Sequence, residues 1–308
     1  MPMSQARTEA QPGVLTDARR HPPATPSYWR RAWRRLRRDT LAMVALVMLV
    51  AIGTIALAAP LVNERVLGAD PNRVRLTQKL QAPSAAHRLG TDEYGRDTAA
   101  RLLAAGRVSL TFALTTTLID LGIGITLGLC AGYFGRRVDD AINALIQLIS
   151  NVPTIFLLIA LSVLFRPGVL GLAVLFGVLG WTGIARQVRG RVFAERHMDY
   201  VDAARLAGAS TPRILFIHIL PNVSSIILVL IGFDIASAIL GEAALSYLGF
   251  GVQIPTPSWG NMLNNALTYF FDAPWLVFAP GVAISLTLFA IYLFNDGLRD
   301  ALDPRLNR

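Results

Sequence analysis

Lysine is almost absent from this 308-residue chain, where Lys79 is the only one among 29 basic residues. A phosphate-cradling G-x-x-x-x-G-K-[ST] loop needs a lysine directly after its second glycine. Lys79 sits in LTQKL, so the chain is no P-loop ATPase. Cysteine is just as scarce: Cys130 alone allows neither an internal disulfide framework nor a thiolate metal site. His21, His87, His197 and His218 lack ligand spacing, and no nucleophile–base arrangement accompanies them. The chain therefore reads as a non-enzyme with no metal or cofactor of its own. Charge is thin as well, at 16% of residues, where a soluble domain carries about a quarter.

What replaces charge is apolar length. The chain is 53% hydrophobic with a mean hydropathy of +0.48. Six runs, at 41–62, 108–133, 141–165, 169–185, 223–248 and 276–295, approach the roughly 20 apolar residues that cross a bilayer as a helix. The first would reach about 33 Å at ~1.5 Å per residue. Ala56-Leu57-Ala58 resembles a signal-peptide cleavage site, but this run is too long for such a leader and forty residues precede it. The fold class expected is an all-α integral membrane protein with six transmembrane helices.

The net charge of +9 points to membrane edges rather than nucleic acid. WRRAWRRLRR (29–38) abuts the first span, Arg136 and Arg137 sit in the next inner turn, and six arginines from Arg186 to Arg213 crowd one loop. The 249–275 loop has no Lys or Arg. The positive-inside rule places both termini, 134–140 and 186–222 in the cytoplasm. Segment 63–107 carries basic residues on the outer side, interleaved with acids, as longer loops often do. Residues 1–40 read as a disordered tail running into a basic, Trp-bearing membrane-edge helix that anchors the chain and can meet anionic lipid.

The stretch 200–222, YVDAARLAGASTPRILFIHILPN, is punctuated like a surface element between two greasy runs. Asp199 is expected to cap a helix, with Asp202 adding negative charge at its positive end. Tyr200, Ala203, Ala204 and Ala207 then share a flat face, with Asp202 and Arg205 pointing elsewhere. Gly208 suits a left-handed terminus. Thr211 and Pro212 open a second helix as its cap and first position, and Leu220-Pro221 stops it. Such a face lets another backbone approach closely, which suits docking on a cytoplasmic partner.

Asp202-Ala203-Ala204, Gly208 and Leu220-Pro221 resemble the EAA loop of ABC importer permeases, with Asp202 in place of the usual Glu and His218 in place of the common Ile. HRLGTDEYGRDTAARLLAAGRVSL (87–110), GEAALSYLGFGVQIPTPSWGNML (241–263) and the 274–306 segment around NDGLRDALDPRL extend the likeness to the C-type permease of dipeptide/oligopeptide importers, over roughly residues 28–306. The resemblance implies a type I ABC importer permease fold. Its parts are a tail and basic helix at 1–40, an added first span at 41–62, an extracytoplasmic segment at 63–107, a core at 108–297 containing the coupling loop 186–222, and a cytoplasmic tail at 298–308. It also implies that Tyr200, Asp202, Ala203, Ala204, Ala207, Gly208, Leu220 and Pro221 couple the chain to an ATPase.

On the outer side, Gly90 and Gly95 bracket turns in LGTDEYGRD, and Asp97 is expected to cap a helix running to Arg107 and to face Arg101 one turn on. By resemblance this region receives the solute-binding protein, with Asp92, Arg96 and Asp97 as candidate docking residues. A self-contained plug packed on the helices fits the same pattern. Inside the membrane, Asp120, Asp234 and Glu242 are costly acids, which suggest a pathway or buried partners. With Ser237 they are the candidate pathway residues. Gly232-x-x-x-Ala236 and Ser237-x-x-x-Gly241 permit close helix packing, and Asn151-Val152-Pro153 predicts a kink in the third span.

The function implied is one half of an ATP-driven peptide import channel in a bacterial or archaeal plasma membrane. Its implied partners are a homologous second permease, two ABC ATPases that hold ATP and magnesium, and an extracytoplasmic solute-binding protein. Nickel, glutathione or another small solute is an alternative cargo within the same fold. A proton-coupled secondary transporter using the three acids is the alternative from another class, although the paired inverted repeats of that class are not evident.

Overall fold

The computed structural model describes residues 28–302, and among these the structure is helical apart from one isolated bridge between Thr91 and Asp97. The expected tail before residue 28 and the last six residues lie outside the described residues. A short basic helix α1 (Tyr28–Leu36) leads through an Asp39 cap into α2 (Thr40–Val62). A looped segment, 63–97, precedes α3 (Thr98–Phe134), which runs 37 residues without a break. Next come α4 (Arg136–Ser150), α5 (Thr154–Phe165), α6 (Val169–Gly180), α7 (Thr182–Glu195) and α8 (Asp199–Leu206). A single turn, α9 (Thr211–Arg213), and a π-helical stretch (Ile214–Ile219) run into α10 (Leu220–Tyr247), followed by short α11 (Trp259–Leu263) and long α12 (Trp275–Leu302).

Four helical stretches are long and apolar enough to cross a membrane: Thr40–Leu67, Thr98–Phe134, Thr211–Tyr247 and Trp275–Leu302. Two further helix pairs have the length and apolarity of a span only when each is taken together, and both are bent, α4 with α5 by 74° and α6 with α7 by 41°. The first bend falls at the expected kink. Pro153 cannot donate a backbone hydrogen bond, so the α4 ladder ends at Asn151 and α5 restarts with Pro153 at its cap.

Three boundaries differ from the sequence reading. The expected break at 107/108 is absent, because α3 runs unbroken from Thr98 through Arg107 to Phe134. Pro221 does not stop a helix. It occupies an early position in α10 after the wider π turns, where a missing N–H is tolerated, and Asn222 Nδ2 donates to the His218 carbonyl at 2.7 Å. At the far end, α12 continues through Leu298–Leu302 rather than yielding to a tail at 298.

Helix α3 is the central post, packing on α2, α6, α7, α10 and α12. Gly124, Gly128 and Gly132 form a groove along it. A Cβ on these glycines would lie 2.7–2.8 Å from the Cβ atoms of Ile184, Val188 and Val192 on α7, so only glycine allows this approach. On α10, Gly232 sits against the Asn295 side chain of α12 and Gly241 against Phe176 of α6. The expected Gly232–Ala236 packing is present, whereas Ser237 is exposed.

Candidate functional site

The chain past α7 builds a lever from few residues. Helix α8 has Met198 as its cap and Asp199 as its first residue, with no side-chain cap bond, so Asp199 contributes charge at the helix start instead of the expected cap. At the other end Gly208 takes φ +78°, with Gly208 N–H bonding to Arg205 O and Ala209 N–H to Ala204 O, both at 3.0 Å. This paired closure is the left-handed terminus expected there. The next helix starts one residue early: Ser210 is the cap, and Thr211 and Pro212 are its first two positions.

Val201 fixes the rotation of α8. It is fully buried among Val188, Val192, Ile214, Leu215 and Ile219, with Tyr200 and Ala204 packed beside it. Tyr200 Oη donates to Glu195 Oε2 at 2.9 Å, and burial, reinforced by Glu195, pushes the phenol up to about 12. The opposite face holds Asp202, Ala203, Leu206 and Ala207, with Leu206 91% exposed. The expected single face of Tyr200, Ala203, Ala204 and Ala207 is therefore split. Tyr200 and Ala204 anchor the helix, and Asp202 joins Ala203 and Ala207 outside. Val201 and Leu206 are the residues the sequence reading missed. Five positions put them about 140° apart on a helix, so one of the two must face outward.

Charge pairs bind this lever to the bundle. Arg189 makes a two-pronged contact with Asp139 at the start of α4, its Nη2 2.6 Å from Oδ2. Arg196 donates to the Gly132 and Tyr133 carbonyls at the end of α3, at 3.1 and 3.2 Å. Arg205 pairs with Asp202 at 2.9 Å and lies over the Tyr133 ring.

At the other end of α3, residues 63–97 form a polar platform. Asp97 caps α3 as expected, accepting from Ala100 N–H at 2.8 Å, but its second oxygen takes His87 Nδ1 at 2.8 Å. The expected Asp97–Arg101 pair is not made, because Arg101 lies 3.5 Å from Asp92 and donates to the Pro71 carbonyl. Asp92 also accepts from the Tyr94 and Arg96 amides at 2.9 Å and from Arg96 Nε at 2.6 Å. Gly95, at φ +71°, packs against the Arg75 backbone where any Cβ would overlap it. Asp92, Arg96 and Asp97 are therefore buried, and they bond to one another's backbone and to His87 within the platform. A cavity of about 230 Å³ beside them is lined by Glu93, Arg96, Asn261 and Asn264 among others. Burial, more than the neighbouring Asp92, raises Glu93 above the usual carboxylate range.

The intramembrane acids separate into two groups. Glu242 is fully buried, accepting from Ser246 at 2.6 Å and Ser109 at 3.2 Å, and Ser109 and Ser246 in turn accept from the Trp259 and Val252 amides. It pins the 249–263 loop onto α3 and α10. Asp120 is also buried, its carboxylate lying against Gly180 of α6, and Asp234 is partly buried on α10. On α10 the exposed stripe is Phe233, Ser237, Leu240, Ala244 and Tyr247, one helical face on which Phe233 meets the Tyr292 ring of α12 with 6.0 Å between centroids.

Residues 124–308 match the family model described as binding-protein-dependent transport system inner membrane component. The chain belongs to this family. Residues 27–83 match the N-terminal TM domain of oligopeptide transport permease C. The chain is 39% identical over 283 residues to the dipeptide transport system permease protein DppC of Bacillus subtilis, covering 92% of this chain and 87% of that one. It is 37% identical over 285 residues to the oligopeptide transport system permease protein OppC of the same organism, covering 92% and 91%. A structure of the inward-facing methionine ABC transporter MetNI superposes with a TM-score of 0.53 at 17% identity, over 66% of this chain and 96% of that one. That likeness extends to the fold.

Proposed function

We propose that this chain is one of two homologous permease subunits in an ATP-driven importer of di- or oligopeptides, set in the inner membrane with both termini in the cytoplasm. Two ABC ATPases, carrying ATP and magnesium, grip α8; a solute-binding protein delivers peptide at the 63–97 platform; and the second permease faces the α10 stripe containing Ser237. Asp234 borders that stripe. The peptide cargo is supported by the relatives' names.

The observation that carries the coupling role is an apolar side chain held out where no described residue covers it. Leu206 is 91% exposed on a helix whose other face is locked by Val201 and whose end is fixed at Gly208. A monomer gains nothing from that arrangement, whereas a partner groove gains a rigid apolar peg. In the mechanism, ATP draws the two motors together, α8 moves with them, and α7 carries the motion to α3 through the glycine groove. The two permeases then rock between inward- and outward-open states.

Co-purification of the four-subunit core tests this. Gly208→Trp forces a bulky L-residue into a left-handed position and should cost motor binding or uncouple ATP hydrolysis from uptake. A variant that binds both motors and transports at the wild-type rate would refute the coupling role. Mass spectrometry of ligand carried by the cognate binding protein tests the cargo, and nickel or sugar alone would overturn the peptide assignment.

A further inference from the structure

We infer that the cavity where α2 and α3 meet the 63–97 platform binds the headgroup of a phospholipid bearing a primary ammonium, such as phosphatidylethanolamine. The cavity, about 580 Å³, opens between the end of α2, the turn at 68–73 and α3. Its lining changes character from apolar, at Ala59, Pro60, Ala104 and Val108, to polar, at Asn63, Glu64, Asp70, Arg73 and Arg107. The apolar run of α2 ends at residue 62, and that of α3 begins at 108. The cavity therefore lies at the level where acyl chains give way to headgroups.

Asn63 is 5% exposed, and its Nδ2 donates to the Ala100 carbonyl at 3.0 Å. That bond commits the amide's donor to the fold and leaves Oδ1 buried without a partner. An orphaned acceptor calls for an N–H or O–H from the occupant. Glu64, next in the chain, makes no ion pair or side-chain hydrogen bond among the described residues, and Asp70 spends one oxygen on the Asn72 amide at 2.8 Å. Residues 63–67 also close the α2 stretch, and a helix carries partial negative charge at this end. An ammonium with its N–H donors answers all four features. Arg73 and Arg107 supply the opposite sign, and neither guanidinium has an ion pair among the described residues. A phosphodiester matches them. A bare metal ion would leave the two arginines unmatched, and a purely anionic lipid would leave Glu64 and Asp70 so. A choline headgroup has no N–H for Asn63 Oδ1.

The test is native mass spectrometry of the full-length permease, titrated in detergent with synthetic phosphatidylethanolamine, phosphatidylcholine or phosphatidylglycerol of matched chains. The expected result is one phosphatidylethanolamine retained about tenfold more tightly than phosphatidylcholine, the difference being hydrogen bonds to a charged donor. Glu64→Gln should shrink that preference to about threefold or less, whereas Arg107→Gln should weaken both lipids alike by about tenfold. Both residues are exposed, so both variants should keep the wild-type melting temperature. Asn63→Ala should abolish the preference; should it fail to fold for want of the Ala100 bond, the two exposed substitutions decide. Equal retention of the ethanolamine and choline lipids, tighter retention of phosphatidylglycerol, or binding indifferent to Glu64→Gln and Arg107→Gln overturns the proposal. So does glycerophosphoethanolamine binding as tightly as the intact lipid, which would make this a site for a soluble headgroup.

Discussion

Truncating Leu206 to alanine should weaken motor binding without weakening the permease. The side chain is 91% exposed and contributes almost nothing to its own fold, so permease stability should move by less than about 0.5 kcal/mol. If a motor groove covers it, truncation removes roughly three buried carbons at ~0.8 kcal/mol each, or about 2 kcal/mol. At about 1.4 kcal/mol per tenfold, affinity falls about 30-fold. Leu206→Asp should lose more, since a carboxylate would then have to be desolvated in the groove. The assay titrates purified ATPase subunits onto the permease pair in nanodiscs, with thermal unfolding of the permease alone as control. Val201→Ala provides the contrast: it leaves a cavity under α8 and should lower permease stability by about 1–3 kcal/mol. Leu206→Ala binding within twofold of wild type would refute the reasoning, as would a loss of binding matched by equal destabilisation.

Gly128→Leu should prevent correct assembly of the bundle, because even a Cβ there lies 2.8 Å from the Ala185 carbonyl and the Val188 Cβ; size-exclusion of a fluorescent fusion should show aggregate in place of the monodisperse peak. Asp97→Ala removes the α3 cap and the His87 contact together, and should lower thermal stability by about 1–2 kcal/mol while leaving motor affinity unchanged. Glu93→Gln should act through pH. The folded carboxyl titrates above its unfolded value, so the wild-type platform is favoured in acid and loses that contribution as pH rises through the folded value. The substitution should therefore stabilise the permease at pH 8 relative to wild type and not at pH 4, as read by thermal melts at both.

How far the sequence revealed the fold depended on the range of the interaction involved. Pro153 and Gly208 act on their own backbones, and both behave as their chemistry requires. Four of the expected spans fall on single long helices because apolar length is a local property, whereas the other two fall on bent pairs, and the bend between α6 and α7 was not legible. The cap of α3 at Asp97 was legible, but the helix it opens was expected to end at Arg107, and its unbroken continuation to Phe134 was not. The rotation of α8 depends on Val188, Val192 and Ile219, none of which lies in the helix. The two groups of acids needed still longer range: Asp120 lies against Gly180, 60 positions on, and Glu242 meets Ser109 across 133. Periodicity assigns such residues to a face but cannot say what stands opposite.

The unbroken length of α3 has one more consequence. At ~1.5 Å per residue its 37 residues form a strut about 55 Å long. Its first turn is welded into the platform through Asp97, and its last is clamped by Arg196 beside the peg-bearing helix. If, as proposed, cargo is delivered at one end and the motors grip the other, its arrival need not be relayed through soft joints, because a tilt at the head of this stiff beam is already a displacement at its foot.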